Sequence, residues 1–219
     1  TAAVAVSGVV ASLSLAVALT VMVASFRESV TQWLDQALPA DLYVRSTGNL
    51  GAANTVYFTP ELAAQAARLP GVKSLQVQRQ LPLQLQASLP PVALLARELS
   101  DPARSLPLVA GPLPVPMGQI GVYVSEAVVD LFGAQPGQVF TPLSEAFRPL
   151  ALLQPGETTV FYVAGVWRDY ARQSGAIAMD RQAFIQLTGD QRANDLAFWL
   201  DDPAQAAQVQ QALRAVAER

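Results

Sequence analysis

Hydrophobic and polar positions divide the chain sharply near residue 26. From Thr1 to Phe26 no side chain is charged, and all of the 14 Lys+Arg and 17 Asp+Glu lie beyond that point. An α-helix rises about 1.5 Å per residue, so this run spans roughly 39 Å, enough to cross a hydrocarbon layer about 30 Å thick with some tilt. The pattern predicts a transmembrane helix. A signal peptide is the rival, but its apolar region is usually about 7 to 15 residues behind a positive start, and no positive start precedes this one. The chain opens without Met, which predicts a piece of a longer protein with flanking spans.

Within the span, Ala5, Gly8, Ser12 and Ala16 recur at helical spacing along one side. Small residues let helices approach closely in lipid, where association rests on packing, so the stripe fits a helix packed in a bundle. The plainer alternative is an Ala-rich anchor whose serine hydroxyls bond their own backbone carbonyls. Beyond Arg27 and Glu28, the residues Phe26, Val30, Trp33, Leu34 and Leu38 keep the i, i+3, i+4, i+7 repeat until Pro39. One rod over 1–38 is predicted to run from membrane into water, with Phe26, Val30, Trp33 and Leu34 as its transmission face. Phe26 and Trp33 also suit an interfacial aromatic belt.

After Pro39 the pattern becomes that of a mixed α+β domain. Asp41 to Ser46 alternates as a strand, and Thr47 to Asn54 reads as a mobile loop. Thr59 and Pro60 start a helix closed by Pro70-Gly71, and Val72 to Gln80 reads as a second strand. From Leu81 the texture turns β-rich, with a strand at Val92 to Arg97. Pro102, Pro107, Pro112, Pro114 and Pro116 then favour extended chain over helix, either an exposed surface packed on a lobe or a ligand for proline-binding modules. Gly121 to Val124 predicts a strand, Ser125 caps a short helix ended by Gly133, and Gln135 to Gln138 turns into Val139-Phe140. Regular α/β order returns with strands at Thr158 to Trp167, Gly175 to Met179 and Asp195 to Leu200. Helices follow Asp180 and Asp202-Pro203, the last running to the end of the chain. The expected plan is an N-terminal transmembrane helix with stalk (1–38), an αβ lobe of split β-α-β units (39–80 and 158–219), and a β-rich inserted lobe (81–157).

Composition narrows the chemistry. There is no His and no Cys, so Ser-His-Asp triads, Cys-His nucleophiles, thiolate zinc sites and disulfides are excluded. A net charge of -3 with a single lysine, Lys73, argues against nucleic acid as a partner. Asp169 with Arg168, Tyr170 and Arg172 reads as a solvated loop, and Asp201-Asp202 as a helix cap too small for a calcium shell. Lys73 and Ser74, adjacent on a strand, point to opposite faces and make a poor dyad. No phosphate loop of the G-x-x-x-x-G-K-[ST] type occurs. Catalytic residues, metal ligands and cofactors are therefore not expected.

Ser-Phe-Arg-Glu-Ser-Val-Thr-Gln-Trp-Leu (25–34) after an uncharged span, followed by Ala-Asp-Leu-Tyr-Val-Arg (40–45), resembles the first membrane helix and entry strand of FtsX-like and MacB-like ABC transporter permeases. Val-Tyr-Val-Ser-Glu-Ala (122–127) with Phe-Gly-Ala-Gln-Pro-Gly-Gln (132–138), and Val-Ala-Gly-Val-Trp-Arg-Asp-Tyr (163–170) with Gly-Ala-Ile-Ala-Met-Asp (175–180), are similar to later blocks of the same family. The resemblance covers essentially the whole chain. It implies a helix held in the bacterial inner (plasma) membrane among membrane lipid, with an extracytoplasmic domain of Porter-like and Sabre-like lobes in the periplasm or outside. It also implies a permease dimer partner and a separate cytoplasmic ATPase subunit, with lipid, lipoprotein, peptide or envelope-enzyme cargo. A membrane-anchored ligand-sensing module is the alternative for the same pattern.

Overall fold

A computed structural model describes residues 2–152, 154 and 157–217. The chain forms two compact units, Thr1–Pro39 and Ala40–Arg219. The first is a single helix, α1 (Ala2–Ala37). Ala and Leu recur along it, Gly8 is its one glycine, and no proline occurs before Pro39, so nothing interrupts the hydrogen-bond ladder. The Leu38 N–H still donates to the Leu34 carbonyl at 2.8 Å. The segment Val6–Asp35 has a mean hydropathy of 2.3 and is the one helix among the described residues long and apolar enough to cross a membrane.

The second unit contains, in order, β1 (Leu42–Arg45), α2 (Pro60–Ala66), β2 (Val72–Leu83), β3 (Val92–Arg97), α3 (Pro102–Ser105), β4 (Leu108–Ala110) and β5 (Ile120–Ser125). There follow α4 (Glu126–Phe132), α5 (Thr141–Phe147), β6 (Phe161–Trp167), β7 (Ala176–Asp180), α6 (Arg181–Thr188), β8 (Asp195–Leu200) and α7 (Ala206–Ala217). Residues 218–219, where the last helix was expected to continue, lie outside the described residues. Local signals account for most boundaries. Thr59 accepts from the Leu62 N–H at the start of α2, and Asp180 accepts from Gln182 and Ala183 at the start of α6. Gly133 and Gly189, both at φ 68°, close α4 and α6 in the left-handed conformation that favours glycine.

Eight strands form one sheet in the order β1-β8-β2-β3-β7-β5-β6-β4, with β3–β7 and β5–β6 parallel and the other pairs antiparallel. The long strand β2 joins its two halves. From Val72 to Gln78 it pairs with β8, and from Arg79 to Leu83 it pairs with β3 on its other edge. On one face, α2 and α7 bury Ala66 and Val209 against Leu196, Phe198 and Leu200 of β8. Farther along that face α4, α5 and α6 bury Val128, Leu143, Phe147 and Phe184 against β3, β5, β6 and β7. Phe147 sits edge-on to Phe161 and Phe184 at centroid distances of 5.1 and 6.2 Å. On the opposite face Ala93, Leu95, Tyr123 and Trp167 of the strands are buried together with Leu99 and Leu106, which follow β3.

Several expectations are corrected. Strands β6 and β7 and helix α6, grouped by pattern with 39–80, pair and pack instead with elements of 81–157, because β6 lies beside β5 and β7 beside β3. Parallel partners are chosen by long-range packing, which leaves no local signature. Ser125 makes no side-chain cap on α4; its hydroxyl accepts from the Ala176 N–H at 2.9 Å and ties β5 to β7. Pro102 starts the one-turn helix α3 under an Asp101 cap, since a proline in the first turn forfeits no helical bond. Helix α5 begins after Phe140, with Leu143 and Phe147 turned fully inward.

Candidate functional site

The predicted membrane and transmission positions all lie on α1. Gly8, Ser12 and Ala16 are exposed there, and an added methyl at Gly8 would meet nothing within 4 Å. Ala5 shares the helix, but its side chain lies outside the described residues. Ser12 donates to the Gly8 carbonyl at 2.9 Å and Thr20 to the Ala16 carbonyl at 2.8 Å, which is the backbone-bonding alternative raised for the stripe. Of the transmission residues, Phe26 is 69% and Leu34 40% exposed, while Val30 and Trp33 are half-buried.

Charged loops noted in the sequence are internally satisfied. Asp169 is paired with Arg172 at 2.9 Å, and Arg168 places two nitrogens 3.1 Å from the two carboxylate oxygens of Glu126. Asp202 caps the turn before α7 through the Ala204 N–H. Among the described residues no cluster of acids offers a metal site.

The densest polar constellation, which the sequence did not announce, centres on Arg79. This residue stands at the step in β2 where pairing passes from β8 to β3, on the helix-covered face, and is 0% exposed. Its guanidinium donates to Asp190 at 2.9 Å, to the Ala53 carbonyl and the Asn194 side chain at 2.6 Å each, and to Asn54 at 2.9 Å. Asn194 donates in turn to the Ala53 and Val56 carbonyls and accepts from the Gln80 N–H. Residues 47–54, expected to be mobile, are thus pinned at Ala53 and Asn54 to the strand crossing. Asp190 is shared with Arg192, at 2.8 Å, and that guanidinium lies over the Tyr57 ring at 4.8 Å. Burial acts to raise the Asp190 carboxyl, but hydrogen bonds from Arg192 and Arg79 outweigh it and hold its pKa at about 2. Burial pushes the Arg79 guanidinium down and Asp190 opposes the shift, so Arg79 remains a cation with its donors engaged. Polar periodicity gave one clue, an arginine between the apolar positions Val77 and Leu81.

Across the sheet from this clamp, β1, β8 and the first half of β2 present an uncovered polar face. Asp195 joins its row, accepting from Arg45 at 2.5 Å and from Gln78 at 3.2 Å. Tyr43 accepts from the Ala40 N–H at 2.8 Å, and burial raises its phenol pKa. A groove of about 360 Å³ opens here, lined by Lys73, Ser74, Leu75, Gln76, Glu98 and Trp199. Lys73 and Ser74 both reach it, where the register of β2 shifts between Val72 and Ser74. Such a face can take hydrogen-bonding and charged groups; it offers no nucleophile paired with a base.

A family model for the MacB-like periplasmic core domain matches residues 2–216. No curated protein sequence matches the chain. Among solved structures, the extracellular domain of the noncanonic ABC-type transporter YknZ from Gram-positive bacteria is similar at 12% identity and a TM-score of 0.47, covering 76% of this chain and 86% of that one. The periplasmic region of MacB from Actinobacillus actinomycetemcomitans is similar at 12% identity and a TM-score of 0.49, covering 80% of this chain and 81% of that one.

Proposed function

The chain belongs to the MacB-like periplasmic core domain family, and from that premise we propose that it supplies a membrane helix and the extracytoplasmic domain of an ABC-type permease. The observation that carries the proposal is the extent of the family match, which runs from the apolar helix through α7 as one stretch. In this reading α1 anchors the domain in the bacterial inner membrane, lies among membrane lipid, and packs in the bundle through Ala5, Gly8, Ser12 and Ala16. ATP is hydrolysed on a separate cytoplasmic ATPase subunit, and a permease dimer partner completes the assembly. The resulting motion passes through Phe26, Val30, Trp33 and Leu34 into the domain, whose two lobes meet at the β2 crossing and move or release lipid, lipoprotein or peptide cargo. The chain itself is not an enzyme.

The transmission step rests on the continuity of α1, because an unbroken hydrogen-bonded helix carries displacement stiffly whereas a kinked one absorbs it. Purifying the full-length protein from its native membrane tests the partner. An ATP-hydrolysing subunit is expected to co-elute, and a protein that elutes alone with no ATP hydrolysis contradicts the proposal.

A further inference from the structure

Strand β2 has two half-edges that no other strand covers, because β8 pairs with it only from Val72 to Gln78 and β3 only from Arg79 to Leu83. One of them, beyond Gln78 on the β8 side, is closed by connecting chain: the Asn194 side chain accepts from the Gln80 N–H, and the turn Leu50–Ala52 lies against the strand. The other, from Lys73 to Val77 on the β3 side, is open. Alternate residues of an antiparallel strand send their backbone groups to opposite edges. The Gln78 carbonyl accepts from the Asn194 N–H on the β8 side, so Leu75 and Val77 direct their N–H and C=O groups to the β3 side, where no described residue pairs with them. The groove runs along this edge. Lys73, Ser74, Leu75 and Gln76 line it in succession, although the Leu75 side chain packs on the opposite face with the core under α2 and α7. Glu98, the first residue past β3, completes the lining on the β3 side.

We propose that this edge takes a short extended segment of a partner protein as an added β-strand, held chiefly by main-chain hydrogen bonds to Leu75 and Val77. Donor and acceptor pairs repeated every second residue, roughly 7 Å apart, are matched by another extended backbone and by little else. The β-bulge where the register shifts between Val72 and Ser74 brings Lys73, the one lysine of the chain, into the groove. A bulge with an edge lysine guards against long edge-to-edge pairing, which disfavours a second copy of this chain. At the other end β3 closes onto β2 at Arg79, so the open stretch spans roughly 14 Å and suits a segment of about five residues. Lys73 and Glu98 form no ion pair with a described residue, so an acidic residue of the segment complements the first and a basic one the second. Trp199 offers a flat apolar wall to a side chain between them. The edge is open whether or not the chain works in a permease.

The test is nuclear magnetic resonance of the full-length chain in detergent, labelled with 15N at leucine, with the Leu75 amide signal assigned from its loss in Leu75→Ile. The probe is the blocked peptide acetyl-Asp-Val-Thr-Val-Arg-amide. Beside it runs the same peptide N-methylated at both valines and the threonine, which keeps the side chains and charges and loses the central donors. With the first peptide the Leu75 amide is expected to shift saturably and to exchange with deuterium at least about tenfold more slowly, and with the second to do neither. Lys73→Ala is expected to weaken binding only about threefold and to leave the shift at Leu75 in place, because an exposed charge contributes less than the main chain. Equal responses to the two peptides, shifts confined to leucines away from β2, or no response up to millimolar peptide overturns the assignment. So does a Leu75 amide protected without peptide and released on dilution, which would give the edge to a second copy.

Discussion

Two arginines lie on opposite faces of the same sheet, one strand apart, and the chain treats them differently. Arg79 is wholly buried and has acceptors from the 47–54 loop, Asp190 and Asn194. Arg97 is half-buried, and its guanidinium, which makes no hydrogen bond with a described residue, reaches solvent. The helix-covered face uses its cation to hold the fold together; the cation on the open face is left to water. The difference separates structural from solvated charge without appeal to residue type, since both are arginines on adjacent strands.

The comparison is broken most severely by removing the acid that Arg79 needs. Asp190→Asn leaves the buried guanidinium without its carboxylate and is expected to lower stability by about 3 kcal/mol, read from chemical unfolding followed by tryptophan fluorescence. A loss as small as that of an exposed ion pair would show that the clamp is not structural. Acid acts on the same pair with a smaller effect. Because the folded Asp190 carboxyl titrates at about 2 and an unfolded one near 3.9, its contribution is fully present above the unfolded value. It is lost as pH falls from about 4 towards 2, amounting to about 2 kcal/mol. Asp190→Asn should flatten that part of the pH–stability curve, and an unchanged slope would assign acid sensitivity to other carboxylates. The smallest effect belongs to the other face. Arg97→Gln removes a cation that water already reaches and should change stability by no more than about 0.5 kcal/mol in the same unfolding assay. A loss like that of Asp190→Asn would make Arg97 a structural residue too.

How much of this was legible in the sequence follows from the range of the forces involved. Helix α1 is written in composition alone: an uncharged run, then an amphipathic repeat ended by Pro39. Caps at Thr59 and Asp180 and closures at Gly133 and Gly189 are set within a few residues, and they stand where the pattern put them. Longer-range choices were not legible. Ser125 has the chemistry of a cap, but Ala176, brought alongside by the β5–β7 pairing, takes its hydroxyl. Strands β6 and β7 look locally like a second αβ unit, yet their parallel neighbours lie elsewhere in the chain. Arg79 acquires its role from Ala53, Asn54, Asp190 and Asn194, four residues that only the folded sheet brings together. The groove likewise joins β2, β8 and the end of β3.

The central claim is that α1 drives the domain as a stiff element powered from elsewhere. The chain has no cysteine, so Met117→Cys, at a fully exposed position, takes a single spin label per chain. In the proposed dimer, reconstituted with the proposed ATPase subunit, the label-to-label distance is measured by pulsed electron resonance with and without ATP, in otherwise native protein and in Val30→Pro. A mid-helix proline costs about 3 kcal/mol locally and breaks the ladder. The account predicts an ATP-dependent change in distance that disappears in Val30→Pro while ATP hydrolysis continues. An ATP-dependent change that survives Val30→Pro intact, or no change in either protein, contradicts it.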